Sequence, residues 1–294
     1  MDLRGVFPPL VTPFHEDGRL DLSAFAANLE AYASEDLAGY LVLGSNGEAA
    51  SLEFDEKLAL IRAARSGAGR RTLLAGTGLE STRATIQLTR AAGELGADAA
   101  LLLTPSYYKP QMTLAALQRH FEAVAEASPI PVLLYSVPQF TGLPFPVPLA
   151  AALAPHPRIA GMKESSGDLA LLDRILESVP ASFAVLCGSA PIFESALGKG
   201  AAGGVLAVSC CAPRPTAALF RAHARGDLER ARRLQAALTP LARAVTASHG
   251  VAGLKAAMEL AGRKGGAVRA PLLPVTAAVR DELPALLAQA EAAV

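Results

Sequence analysis

The chain has 294 residues with 27 Lys+Arg against 27 Asp+Glu, a formal net charge of zero and a pI near 7.0, which argues against the basic surface that nucleic acid or an anionic membrane requires. Mean hydropathy is +0.32, but no apolar run approaches the ~18 residues of a membrane span and the excess is mostly alanine. Three cysteines, Cys187, Cys210 and Cys211, show neither zinc spacing nor a disulfide framework, so the expectation is a soluble cytoplasmic protein with buried thiols.

Met1-Asp2-Leu3-Arg4-Gly5 lacks the charged leader and apolar stretch of a secretory signal. From there short apolar runs alternate with helical patterns, the signature of βα units and a parallel sheet. The predicted strands are Gly5–Val11, Gly39–Gly44, Thr72–Gly76, Ala99–Thr104, Val132–Ser136, Ile159–Lys163, Ala184–Gly188 and Gly203–Val208. Helices are predicted over Leu22–Ser34, Glu53–Ser66, Ser81–Leu95, Met112–Ala127, Pro148–Ala154, Asp168–Ser178, Ile192–Lys199 and Pro215–Arg225. Eight such units over residues 1–225 fit an α/β fold of the closed (β/α)8 TIM-barrel kind. An open doubly wound sheet needs a glycine-rich phosphate turn after its first strand, and Val11-Thr-Pro-Phe14 is nothing like one. Residues 226–294 read as helices alone: Asp227–Val245, Gly250–Ala261 and Val275–Glu291, the last two separated by glycines and by Pro271 and Pro274. Asp227 is the expected N-cap of the first, with Arg230, Arg232 and Arg233 on a solvated face. This segment is a C-terminal helical extension packed on the barrel, not a second catalytic module.

In such a barrel the chemistry sits at the carboxyl ends of the strands. The second strand is followed by Gly44-Ser-Asn-Gly-Glu48, whose backbone N–H, hydroxyl and amide groups can hold a small anion such as a carboxylate; a βα turn chosen for geometry alone reads the same way. The fourth ends in Thr104-Pro-Ser-Tyr-Tyr-Lys-Pro110, where two prolines fix the backbone around Tyr107 and Tyr108, suited to a ligand or to a subunit contact. Tyr135, near the end of the fifth strand, can present a phenol to the barrel mouth as a proton relay, or can be a core tyrosine with a satisfied hydroxyl. Lys163 closes the sixth strand. Burial there disfavours an ammonium and supplies the neutral amine that attack on a ketone requires, unless the side chain snorkels to water. Gly188, and Gly203 with Gly204, leave room for a ligand beside the backbone, as simple barrel packing also would. A lysine, a phenol on the adjacent strand and an anion-holding turn are together the parts of a class I aldolase. The lysine forms an iminium with a 2-oxo acid, and the iminium accepts the electrons of a breaking carbon–carbon bond.

Gly44-Ser-Asn-Gly-Glu48, Thr104-Pro-Ser-Tyr-Tyr108, Tyr135-Ser-Val-Pro138 and Gly161-Met-Lys-Glu-Ser165 resemble, in order and spacing, the motifs of the dihydrodipicolinate synthase / N-acetylneuraminate lyase superfamily. The resemblance covers almost the whole chain. It implies a pyruvate-dependent lyase acting through a lysine Schiff base, with no metal or cofactor, commonly a homotetramer built as a dimer of dimers. Carried over residue by residue, it makes Lys163 the Schiff-base lysine and Tyr135 the proton-shuttling phenol. Ser45 and Asn46 fall on the carboxylate-binding turn, with Ser45 also linking two tyrosines. Tyr107 matches the tyrosine that reaches a neighbouring subunit's site, Tyr108 if the loop is shifted by one. Gly188 and Val205 fall near substrate-lining positions.

Dihydrodipicolinate synthases usually carry two threonines in the first turn, an asparagine after the catalytic tyrosine, and then an arginine that binds the carboxylate of aspartate semialdehyde. Here Ser45-Asn46, Ser136 and Phe140 stand at those positions, and a phenyl ring cannot make a bidentate carboxylate contact. The motifs around Ser45, Tyr135 and Leu186-Cys-Gly-Ser-Ala190, with Gly250-Val-Ala-Gly-Leu-Lys255 and Arg269-Ala-Pro271, look most like the 4-hydroxy-2-oxoglutarate aldolase branch. That branch implies cleavage of 4-hydroxy-2-oxoglutarate to pyruvate and glyoxylate. The alternatives are dihydrodipicolinate synthase or another 2-oxo-acid lyase or dehydratase of the superfamily. A non-catalytic oxo-acid binder would need neither Lys163 nor Tyr135.

Overall fold

In the computed structural model, which describes residues 1–294, the eight apolar runs form eight parallel strands in the order β1-β8-β7-β6-β5-β4-β3-β2. They are β1 Gly5–Phe7, β2 Gly39–Val42, β3 Thr72–Gly76, β4 Ala99–Leu103, β5 Val132–Ser136, β6 Ile159–Glu164, β7 Ala184–Cys187 and β8 Gly203–Val205. The seam between β1 and β2 is closed by a single bridge, Pro9 opposite Leu41, in which Leu10 N–H donates to the Leu41 carbonyl and Leu41 N–H to that of Pro8. The result is a TIM barrel.

β3 and β5 have the predicted bounds; β1 and β2 are shorter, for identifiable reasons. Pro8 and Pro9 have no N–H to continue the β1 ladder. Leu43 adopts a left-handed backbone, φ 60°, which turns β2 out of the sheet.

Helices α1 Leu22–Tyr32, α2 Phe54–Ala68, α3 Thr82–Glu94 and α4 Leu114–Ala127 cover the first half of the barrel. A four-residue helix, α5 Pro138–Thr141, follows β5 and was not expected from the sequence. Then come α6 Val147–Leu153, α7 Leu169–Ser178, α8 Phe193–Lys199 and α9 Pro213–Ala224. Several helices start where a short polar side chain caps the first turn. Asp21, Ser81, Thr113 and Asp168 accept backbone N–H groups of Ala24, Ala84, Ala116, and of Ala170 and Leu171.

Strand alternation divides the apolar residues into two layers. Val132 and Leu134 of β5 and Met162 of β6 lie in the large core between strands and helices. Leu133 and Tyr135 of β5 lie inside the barrel with Phe7, Leu41, Leu74, Leu101, Leu186 and Val205. Lys163, next to the outward Met162, is therefore directed inward.

The extension comprises α10 Leu228–Arg243, continued by a π-helical stretch Ala244–Ser248, then α11 Gly250–Leu260 and α12 Ala277–Glu291. Asp227 caps α10 by accepting from Arg230 N–H. The segment after α11 returns to the barrel: Asn28 of α1 exchanges two hydrogen bonds with the Lys264 backbone, and Ala267 N–H donates to the Phe14 carbonyl. No helix is long and apolar enough to cross a membrane.

Candidate active site

Sheet register puts Tyr135 of β5 beside Lys163 of β6, and Lys163 beside Leu186 of β7. Lys163 is 3% exposed. Its Nζ stands over the Tyr135 ring, 4.3 Å from the centroid, and makes no ion pair, so the amine is not committed to a carboxylate. The Tyr135 hydroxyl lies 3.3 Å from Ser45 Oγ, which connects the β5 phenol to the turn after β2. Thr104 Oγ donates to the Tyr135 carbonyl and fixes that strand end from the β4 side. Lys163, Tyr135 and Ser45, predicted separately from three strand ends, are thus brought together.

The turn is a single 3-10 turn, Ser45–Gly47. Gly47 N–H donates to the Gly44 carbonyl and Glu48 N–H to that of Ser45, while the preceding N–H groups, of Ser45 and Asn46, have no acceptor in the chain, as expected at a helical start. Two unpaired donors, a hydroxyl and a side-chain amide on a half-buried turn are suited to a carboxylate. The buried Thr12 hydroxyl donates to the Gly47 carbonyl at 2.7 Å and holds the turn from beneath.

Gly188 and Val205 also face this space. Val205, opposite Phe7 across β1–β8, is part of the barrel lining. A Cβ on Gly188 would lie 1.8 Å from Ser165 Oγ and 2.9 Å from Lys163 Cε, so any side chain there would have to displace both. That distance also marks a residue the sequence reading left out of the site. Ser165 is buried beside the lysine and its hydroxyl has no partner.

Tyr107 stays outside the cluster. It is 77% exposed and packs edge-on against Tyr108, centroids 5.0 Å apart, on a loop whose Ser106 and Tyr107 N–H groups both donate to Glu80. Neither tyrosine touches Tyr135 or Ser45 within one chain. Phe140, on α5, is 72% exposed. Its neighbour Gln139 donates to the Ser165 carbonyl and ties the β5 and β6 loops together.

Two charged groups next to the site were not singled out as site residues. Glu164, at the end of β6 on the face away from Lys163, is fully buried. One of its oxygens accepts from Ser136 Oγ and Ser166 N–H while the other is unpartnered, and burial raises its pKa above the usual carboxylate range. Glu48, immediately after the turn and itself left-handed at φ 52°, is buried. Its Oε1 lies 2.5 Å from Nζ of Lys255 in α11, and its Oε2 accepts from Arg269 N–H. Lys255, whose Nζ also donates to the Ala267 carbonyl, has its pKa lowered by burial, an effect that Glu48 partly offsets. The Phe14 ring takes both cations, Lys255 Nζ at 4.7 Å and Arg269 Cζ at 4.3 Å.

Residues 2–290 match the model of the dihydrodipicolinate synthetase family. A 4-hydroxy-tetrahydrodipicolinate synthase from an Exiguobacterium species is 39% identical over 280 residues, covering 95% of each chain. Among solved structures, a dihydrodipicolinate synthase from Thermotoga maritima superposes with a TM-score of 0.94 at 28% identity, covering 99% of each chain. A prophage protein of the dihydrodipicolinic acid synthase family from E. coli K12, in complex with pyruvate, has a TM-score of 0.93 at 30% identity, covering 98% of this chain and 99% of its own.

Proposed function

The chain belongs to the dihydrodipicolinate synthetase family, whose members are lyases working through a lysine Schiff base, and on that footing we propose that it joins pyruvate, held as an iminium of Lys163, to an aldehyde. The lone pair of the Lys163 amine attacks the ketone carbon of pyruvate. Loss of water leaves the iminium, which withdraws electrons so that a methyl proton can depart and an enamine forms. The enamine carbon adds to the aldehyde, and hydrolysis returns the free lysine. Tyr135 carries the protons between amine, carbinol and departing water, with Ser45 as its hydroxyl neighbour. Ser45 and Asn46 receive the pyruvate carboxylate, and Gly188 and Val205 line the space beside Lys163. The observation that carries this reading is the buried, unpaired Lys163 Nζ at 4.3 Å from the Tyr135 ring.

Similarity to the Exiguobacterium 4-hydroxy-tetrahydrodipicolinate synthase supports the synthase reading, for which the resemblance of the motifs implies aspartate semialdehyde as the acceptor. A second reading, cleavage of 4-hydroxy-2-oxoglutarate to pyruvate and glyoxylate, is favoured by Phe140, which places an exposed phenyl ring where synthases carry the arginine for the semialdehyde carboxylate. Borohydride reduction in the presence of pyruvate should leave a stable adduct on Lys163 and none in Lys163→Ala; an unmodified Lys163 rejects the mechanism. Pyruvate consumption with each aldehyde then separates the two acceptors.

The assembly that accompanies this reading is a homotetramer in which Tyr107 extends to a neighbouring protomer, supported by its exposure here. Light scattering measures the mass directly. Three free, buried thiols are in keeping with a reducing cytoplasm.

A further inference from the structure

The turn that receives the pyruvate carboxylate in the reading above ends at Glu48, whose side-chain carboxylate is held by the C-terminal extension. Its carboxylate is buried with Lys255 of α11, and its second oxygen takes the Arg269 backbone N–H. Lys255 is fixed in turn by the Ala267 carbonyl and the Phe14 ring. Arg269 is anchored by its side chain to both oxygens of Glu56, in α2 directly after the turn, and to the Ser51 carbonyl. A non-glycine residue at φ 52° is conformationally disfavoured and persists only where its surroundings hold it. The carboxylate of Glu48 is what the surroundings hold.

We propose that Lys255 is a positioning residue for substrate recognition: through Glu48 it sets the two free N–H groups of Ser45 and Asn46 at the spacing a carboxylate needs, so that the extension forms part of the pyruvate site. The inference rests on the functional reading of that turn. It concerns affinity for the carboxylate and not the nucleophile, because neither Lys255 nor Glu48 touches Lys163 or Tyr135.

The test compares pyruvate with methyl pyruvate, which keeps the ketone and lacks the anionic carboxylate, in borohydride trapping of the full-length protein. In the native protein half-maximal trapping should need about tenfold less pyruvate than ester, as charge-assisted hydrogen bonds to backbone donors imply. Lys255→Met should raise the half-saturating pyruvate concentration about tenfold and leave the limiting trapping rate within about threefold, the pattern of lost binding without lost chemistry. That variant leaves Glu48 charged and bare, so the decisive protein is the double variant Lys255→Met/Glu48→Gln, in which no buried charge is unpaired and folding is preserved. The double variant should melt near the native temperature yet lose most of the preference for pyruvate over the ester. A double variant with native preference overturns the positioning role and leaves the carboxylate turn intact. A native protein that does not distinguish acid from ester overturns the carboxylate turn itself, and the inference with it.

Discussion

At the scale of single residues, Tyr135 separates two contributions that the geometry combines. Tyr135→Phe keeps the ring beneath Lys163 Nζ and removes only the hydroxyl near Ser45. Turnover should fall by about a hundredfold or more, in the range of general acid–base contributions, while half-saturating pyruvate changes little; steady-state kinetics with the accepted aldehyde checks this. His120 supplies a pH dependence unconnected with the site. It is buried on α4, its Nδ1 is 2.9 Å from Thr82 Oγ, and its Nε2 has no partner. Burial lowers its pKa from 6.5 to about 4. The unfolded chain therefore takes up a proton below pH 6.5 that the folded protein refuses until about pH 4. The stability involved is fully present above pH 6.5, is lost as the pH falls towards 4, and falls no further below that. A shift of this size corresponds to about 3 kcal/mol in total. Urea midpoints at pH 7.5 and 4.5 should show a smaller drop for His120→Gln than for the native protein; equal drops would reject the assignment.

At the scale of elements, the end of β7 is where packing is least forgiving. Gly188→Ala adds a carbon that must displace Ser165 Oγ and Lys163 Cε. Stability should fall by about 1–3 kcal/mol, as for overpacked sites, and trapping of pyruvate should slow; a trapping rate equal to native would show that the strand end gives way freely. This element level is also where the sequence is most legible. Buried parallel strands read as unbroken apolar runs, so all eight are visible, and the inward direction of Tyr135 and Lys163 follows from alternation. Strand ends are less legible because they depend on whether a partner's ladder continues: Pro8, Pro9 and the left-handed Leu43 decide them. The short helix α5 falls in Pro138-Gln-Phe-Thr141, too brief for any period to show. Ser165 is missed for another reason. A serine after a strand looks like turn chemistry, and only the close approach of Gly188 reveals that it lies beside the lysine.

At the scale of the whole molecule, no local pattern reports the contacts of the extension. Glu48 and the Arg269 N–H are 221 residues apart in the chain, and Lys255 reads within α11 as one cation in an alanine-rich helix. Arg269 nevertheless donates to Glu56, Ser51 and Gly18 at once. Arg269→Met should cost about 2–3 kcal/mol, below the range for a fully buried pair because Glu56 is partly solvated. The same ion pair holds Glu56 below the ordinary carboxylate pKa. Its contribution is present above the unfolded value, 4.5, and is lost as the pH falls through the lower folded value. The gap between native and Arg269→Met melting temperatures should therefore narrow in acid, and a gap that stays constant would assign the cost to packing instead.

The contact between Lys255 and Glu48 gives the order of synthesis a meaning. All eight strands, Lys163 and Tyr135 leave the ribosome before residue 255 does, so on the proposed function a nascent barrel can close with both side chains in place and still lack the contact that positions the carboxylate turn. A message cut short after the barrel then yields a chain that still offers Lys163 to the cell's oxo acids but grips them less tightly, and full hold on them comes only when the last part of the polypeptide has folded back against the first.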